Sequence, residues 1–213
     1  MKMNTELVFI LDKSGSMAGL EADTIGGYNS MLNKQKKAEG EAFVTTVLFN
    51  HDYVLLHDRI NVKGISPITE RDYEVSGTTA LLDAIGFAIQ KINKVQKYTC
   101  KQERAEKVLF VITTDGMENA SREFTADKIK KMVQYQKENY DWEFMFLGAN
   151  IDAVSTAAQF GIEEDFAVDY HADEHGTQLN YQMVSEAVTK LRSGKKIEKS
   201  WKEEIECDYN SRA

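Results

Sequence analysis

Three short segments carry side chains whose types and spacing could do chemistry. Asp12-Lys13-Ser14-Gly15-Ser16-Met17 follows the apolar run Leu7 to Leu11, Ser76-Gly77-Thr78-Thr79 precedes a helical stripe, and Thr114-Asp115-Gly116 follows the run Val108 to Thr113. Ser14 and Ser16 lie two apart in a turn, so both hydroxyls can face one point. Thr79 adds a third neutral oxygen, and Asp12 and Asp115 add negative charge behind them. Hard oxygen donors without His or Cys suit Mg2+, Mn2+ or Ca2+ rather than zinc. A cation held by hydroxyls, with carboxylates reached through water, would be short of direct anionic ligands and would gain most from a carboxylate brought by another molecule. Each segment also has a plain structural reading. Ser14 or Ser16 can cap a helix N-terminus, Thr79 can cap the helix beginning near Leu81, and Asp115-Gly116 alone is a turn signal.

The elements that must position these groups follow from hydrophobic period. Leu7 to Leu11 is apolar on both faces, as a central parallel strand requires. Leu20, Ile25, Tyr28, Met31 and Leu32 repeat at helical spacing up to about Lys36. Phe43 to Phe49 and Tyr53 to Ile60 read as strands joined by Asn50-His51-Asp52, a connection short enough to force an antiparallel hairpin. Leu82, Ile85, Ile89 and Ile92 form a second helical stripe, and Val108 to Thr113 a second buried strand. Thr125 is placed to cap a helix carrying Ile129, Met132 and Val133. Phe144 to Gly148 is a third buried strand, before a short helix through Val154, Ala157 and Ala158 that Gly161 ends. Phe166 to Tyr170 predicts a last strand, and Tyr181, Val184, Val188 and Leu191 a last long helix. Strands separated by helices imply an α/β fold with a mostly parallel sheet, one antiparallel edge and helices on both faces. In such a sheet ligands bind beyond the carboxyl ends of the strands, where the three segments fall.

Composition narrows the function classes. The chain has 213 residues, a prior for one domain, with 42% hydrophobic and 28% charged residues. Its net charge of −8 opposes binding to nucleic acid, which needs a basic footprint. The apolar run near the start is far short of the roughly 20 residues of a bilayer span, so no membrane partner and a cytosolic location are expected. Cys100 and Cys207 are too few and too distant for a disulfide framework or a zinc site, and read as reduced thiols. The four histidines, His51, His57, His171 and His175, show no metal spacing with a carboxylate and read as solvated surface. Glu118-Asn119, after Asp115-Gly116, could shape the rim of the site, with turn polarity as the plain reading; Asn150 and Asp152 fall on the ligand side of the sheet, with loop capping as theirs. Residues 195–213 change character, being highly charged with Ile197, Trp201, Ile205 and Tyr209 four apart, which fits a short amphipathic helix or a docked or frayed tail.

The residues also carry a family resemblance. Asp12-Lys13-Ser14-Gly15-Ser16 resembles the D-x-S-x-S metal motif of von Willebrand factor type A domains. Gly77-Thr78-Thr79-Ala80-Leu81-Leu82-Asp83-Ala84 is similar to their G-G-T-x-L-x-D-A segment, with Thr78 in place of the second glycine. Val111 to Gly116 resembles the segment ending in their T-D-G aspartate. The three occur in family order over residues 6 to about 170. The resemblance implies a von Willebrand factor type A domain over 1–194, with 195–213 as a charged tail or short helix. It implies a six-stranded Rossmann-like sheet and a metal-ion-dependent adhesion site, with Ser14, Ser16 and Thr79 as direct ligands and Asp12 and Asp115 acting mostly through water. Members of the family are generally binding modules rather than enzymes, and stand-alone bacterial members, including those linked to tellurite resistance, are similar to this layout.

Three functions compete on these residues. The first is a protein-binding module in which a partner's Asp or Glu completes a Mg2+ shell. The second is a Mg2+-dependent phosphotransferase or phosphatase of haloacid-dehalogenase type with Asp12 as nucleophile; that chemistry needs a second aspartate two residues on, where this chain has Ser14. The third is a metal-free scaffold. A phosphate-binding Ser-Gly-Ser loop is a further thought, opposed by two aspartates that repel an anion.

Overall fold

The computed structural model describes residues 4–212. The strands are β1 (Asn4–Asp12), β2 (Glu41–Phe49), β3 (Tyr53–Asn61), β4 (Lys107–Thr114), β5 (Glu143–Ala149) and β6 (Ala167–Tyr170). They form one six-stranded sheet in the order β3-β2-β1-β4-β5-β6. Only β3 runs antiparallel, joined to β2 by the hairpin that pairs Phe49 with Tyr53. The helices are α1 (Glu21–Lys37), α2 (Leu81–Tyr98), α3 (Ala126–Tyr140), α4 (Ala153–Gln159), α5 (Glu174–Arg192) and α6 (Glu203–Ser211). Phe166, expected to open the last strand, lies instead in a 3-10 turn over Glu164–Phe166.

β1 sits between β2 and β4, and its alternation divides the interior. Leu7, Phe9 and Leu11 enter the core beneath α1, α5 and α6, whereas Val8 and Ile10 enter the core beneath α2, α3 and α4. That is why the run is apolar throughout: both faces of a central strand are covered. The helix ends follow their local chemistry. Thr125 accepts from Lys128 N at 3.3 Å to cap α3, and Asp173 accepts from Gly176 N at 2.8 Å to cap α5. α1 begins with Glu21 and Asp23 and ends with Lys34, Lys36 and Lys37, each charge opposing the helix dipole. Arg192, buried at the end of α5, meets carbonyls at and just beyond the end of α1, donating to Gln35 O at 2.6 Å and Gly40 O at 3.1 Å.

The charged segment after residue 194 is docked. Ile197, Trp201 and Ile205 bury into the core beneath α1 and α5. Trp201 Nε1 donates to Asp165 O at 2.9 Å. The buried Lys202 ammonium donates to Glu164 O at 2.8 Å and Ala167 O at 2.9 Å and pairs with Glu206 at 2.9 Å.

The surface reading fails for His57. It is 9% exposed, its Nδ1 lies 2.9 Å from Thr46 Oγ1, and burial pushes its pKa down. Its alternate position on β3 turns it toward Thr46, which also meets the buried Tyr28 hydroxyl at 2.6 Å. Cys100 and Cys207 are free and exposed. Among the described residues no helix is long and apolar enough to cross a membrane.

Candidate functional site

The adjacency of β1 and β4 brings the ends of two strands together although they are a hundred residues apart in the chain. Asp12 closes β1 and is 1% exposed. One carboxylate oxygen accepts from the amide of Ser14 at 2.7 Å, and the other accepts from the Thr114 hydroxyl on β4 at 2.6 Å. Thr114 Oγ1 in turn accepts from Gly116 N at 3.2 Å, so the first and third segments are tied through one hydroxyl. Burial pushes the Asp12 carboxyl up to about 6, against the hydrogen bonds from Thr114 and Ser14; the nearby Asp115 charge adds to the rise. The carbonyl of Asp12 accepts from the buried Tyr73 hydroxyl.

The second segment closes over the first. Gly15 N donates to Gly77 O at 3.0 Å, and Ser76 N to Lys13 O at 3.0 Å. Gly77 has φ +77°, and a Cβ there would fall 2.1 Å from His51 Nδ1, so only glycine fits this turn. Asn50 braces the same loop from the hairpin, donating to Ser76 O at 2.8 Å through its side-chain amide while its backbone carbonyl accepts from Ala80 N at 2.8 Å.

The three hydroxyls converge. Ser14 Oγ and Ser16 Oγ are 3.0 Å apart. A Cβ placed on Gly116 would lie 2.9 Å from Ser16 Oγ, 3.1 Å from Thr79 Oγ1 and 3.7 Å from Ser14 Oγ. The space above Gly116 is therefore a common point for all three. Asp115, 4% exposed, stands beside it with Oδ1 buried and without a hydrogen-bond partner. Burial raises its pKa, and the Ser16 hydroxyl opposes the rise. An unpaired buried carboxylate oxygen is costly unless something cationic or protic meets it. Among the described residues no group of three or more His, Cys, Asp or Glu could hold a metal. A cation here would thus depend on neutral hydroxyls, and those hydroxyls, with two carboxylates behind them, are a fitting donor set for a hard divalent ion.

Of the two residues that could shape the rim, Asn119 holds Thr79 in place and Glu118 ties the same loop together. Asn119 Oδ1 accepts from Thr79 N at 2.9 Å, and the amides of Asn119 and Ala120 donate back to Thr79 O at 3.0 and 3.2 Å. Glu118 accepts from Leu82 N at 2.8 Å and Ser121 N at 2.7 Å, fastening the same loop to the start of α2. Asp83 accepts from the amides of Arg122, Glu123 and Phe124 at 2.8 to 3.0 Å. Position just after Asp115-Gly116, across Met117, was the only signal in the sequence for Glu118 and Asn119; Thr79 and Leu82, which they hold, lie in another segment. Asp152 caps α4 through Ser155 N at 2.8 Å, away from the converging hydroxyls.

No protein-family model and no curated protein matches the chain. Solved structures do. A mutant of the PilB minor pilin from Streptococcus sanguinis superposes with a TM-score of 0.64 at 12% identity, over 89% of this chain and 62% of that one. Von Willebrand factor type A from Catenulispora acidiphila gives 0.58 at 12% identity, over 88% and 43%. Proximal thread matrix protein 1 from the mussel byssus, in a structure with a zinc-occupied MIDAS motif, gives 0.56 at 13% identity, over 89% and 46%. The chain spans less than two thirds of the length of each of these three proteins. Strand order, the single antiparallel edge and these superpositions agree: the chain has the von Willebrand factor type A fold.

Proposed function

We propose that the chain is a metal-ion-dependent protein-binding module, not an enzyme, that captures an acidic side chain of a partner protein. The observation that carries this reading is the convergence of Ser14, Ser16 and Thr79 on the space above Gly116, with the unpaired Asp115 Oδ1 at its edge. Ser14, Ser16 and Thr79 would hold the cation directly, with Asp12 and Asp115 supplying charge through water; Mg2+ is the first choice, Mn2+ or Ca2+ the alternatives. A hard divalent cation there supplies a Lewis-acidic point that a partner's Asp or Glu can complete. The protein's own part is to keep the hydroxyls aligned: Thr114 and the Ser14 amide fix Asp12, while Asn119 fixes Thr79. The two buried carboxylates repel a partner acid in the absence of a cation, so recognition is conditional on it.

The phosphotransferase alternative is disfavoured by Asp12 itself. Both of its carboxylate oxygens are engaged by Ser14 N and the Thr114 hydroxyl, which leaves a poor nucleophile, and Ser14 stands where the acid/base aspartate is required. We take 1–194 as the recognition domain, 195–213 as an added segment, and the cytoplasm as the location, in a bacterial cell. The test is a pull-down from the native host with and without EDTA, beside a Ser14→Ala/Ser16→Ala variant. Partners lost both on chelation and in the variant support the reading; partners retained in both cases overturn it in favour of a metal-free scaffold.

A further inference from the structure

A second polar locus lies between α5, α1 and the sheet. Thr177, Asn180 and Tyr181 on α5 are 3%, 3% and 6% exposed. Thr177 Oγ1, Asn180 Oδ1 and Tyr181 Oη are all buried without a hydrogen-bond partner. The three residues line one cavity of about 10 Å³, whose opposite wall includes Thr24 of α1 and Thr113 of β4. Three orphaned polar atoms around a single cavity are not what a dry void looks like, because empty cavities in proteins are apolar.

We propose that this cavity is a binding site for one ordered water molecule that joins α5 to α1 and the sheet. The volume is that of a single water. The chemistry balances with one such molecule. The hydroxyls of Thr177 and Tyr181 donate to its oxygen, and its two hydrogens go to Asn180 Oδ1 and to a threonine hydroxyl across the cavity. No second species is required, and neutral oxygens without a carboxylate give a cation of similar size no counter-charge.

The geometry keeps Tyr181 from turning elsewhere. Its ring lies against the bare backbone of Gly27, where a Cβ would approach Cδ2 to 2.3 Å, and stands edge-on to Tyr28 at 6.2 Å between centroids. Burial also holds its phenol protonated, as a donor must be. On the far side, Thr24 neighbours Tyr73, whose hydroxyl donates to the carbonyl of Asp12. Thr113 is two residues before Asp115 on β4. The water thus completes a polar seam from α5 to the floor of the loop that carries Asp12, and it stands whether or not a cation binds above.

Two measurements decide the matter on the intact chain. Water-to-protein nuclear Overhauser effects, or a high-resolution crystal structure, should show a long-lived water touching Thr177 and Tyr181; a cavity without one overturns the proposal. Thr177→Val, of nearly the same shape, reads the energetics by sign. If Thr177 is a water ligand the variant loses a hydrogen bond and its Tm falls, while Thr177→Ser, which keeps the hydroxyl, retains the water signal. If the cavity is dry, Val removes an unpaired hydroxyl and Tm stays level or rises, which overturns the proposal.

Discussion

Gly116→Ala places a methyl carbon in the space where the three hydroxyls meet. From the backbone of Gly116 that carbon falls 2.9 Å from Ser16 Oγ, 3.1 Å from Thr79 Oγ1 and 3.7 Å from Ser14 Oγ. Ser16 is exposed and can rotate aside, so the fold survives; Thr79, 3% exposed and held by Asn119, cannot follow it. The hydroxyls then no longer share a centre. A cation bound only to the native state at 100 times its Kd stabilises by about 2.7 kcal/mol. For a domain of this size that raises Tm by about 5–11 °C. Chelator-treated wild type should show a rise of this order on titration with Mg2+ or Mn2+ in a thermal-shift assay. Gly116→Ala should show none, while its far-ultraviolet circular dichroism and its metal-free melting remain cooperative. Ser14→Ala/Ser16→Ala should behave alike by removing ligands rather than space. A wild-type rise persisting undiminished in Gly116→Ala would refute the assignment of the converging hydroxyls as the cation site.

Further outcomes are expected elsewhere. Asn119→Ala leaves the amide of Thr79 without its acceptor and should cost about 1–3 kcal/mol in urea unfolding, with a weaker metal response; an unchanged midpoint would show that Asn119 does not hold the loop. Gly27→Ala drives a methyl into the Tyr181 ring at 2.3 Å, and overpacking of this kind should cost about 1–3 kcal/mol, read as a lower denaturation midpoint with an unchanged slope. Glu6 on β1 pairs with Arg59 at 2.8 Å, yet burial dominates and holds its carboxyl above the ordinary 4.5. A raised acid in the folded state contributes stability that is present below its unfolded pKa and lost as pH rises through the folded one. The stability of wild type relative to Glu6→Gln should therefore fall as pH increases above about 4.5; a relative stability that climbs with pH would contradict that sign.

Much of this was legible along the chain because it depends on neighbours in sequence. Strand and helix identity follow from local period, so Leu7 to Leu11, Val108 to Thr113 and the stripe Leu82 to Ile92 landed in the expected elements. Caps such as Thr125 bond within their own first turn and announce themselves the same way. Two of the three loop segments were recognisable because they follow strand ends, where an open parallel sheet presents ligand groups, and the third because it leads into the stripe of α2. Their hydroxyl and carboxylate content alone suits a hard cation.

What only the tertiary structure decided is whatever depends on groups distant in sequence. Pairing of β1 with β4 sets Thr114 against Asp12 and buries the Asp12 carboxyl, and burial pushes that carboxyl up to about 6 although the Thr114 hydrogen bond opposes the rise. Asn119 acquired its role because its loop crosses the one carrying Thr79, which no local pattern encodes. His57 reads as polar surface until β3 packs it onto Thr46. The segment after residue 194 looks like a charged tail until Trp201 and Ile205 find the core. Residue types set which chemistry is available; the sheet's strand order sets which atoms meet and how much water they keep, and so whether those atoms form a site at all.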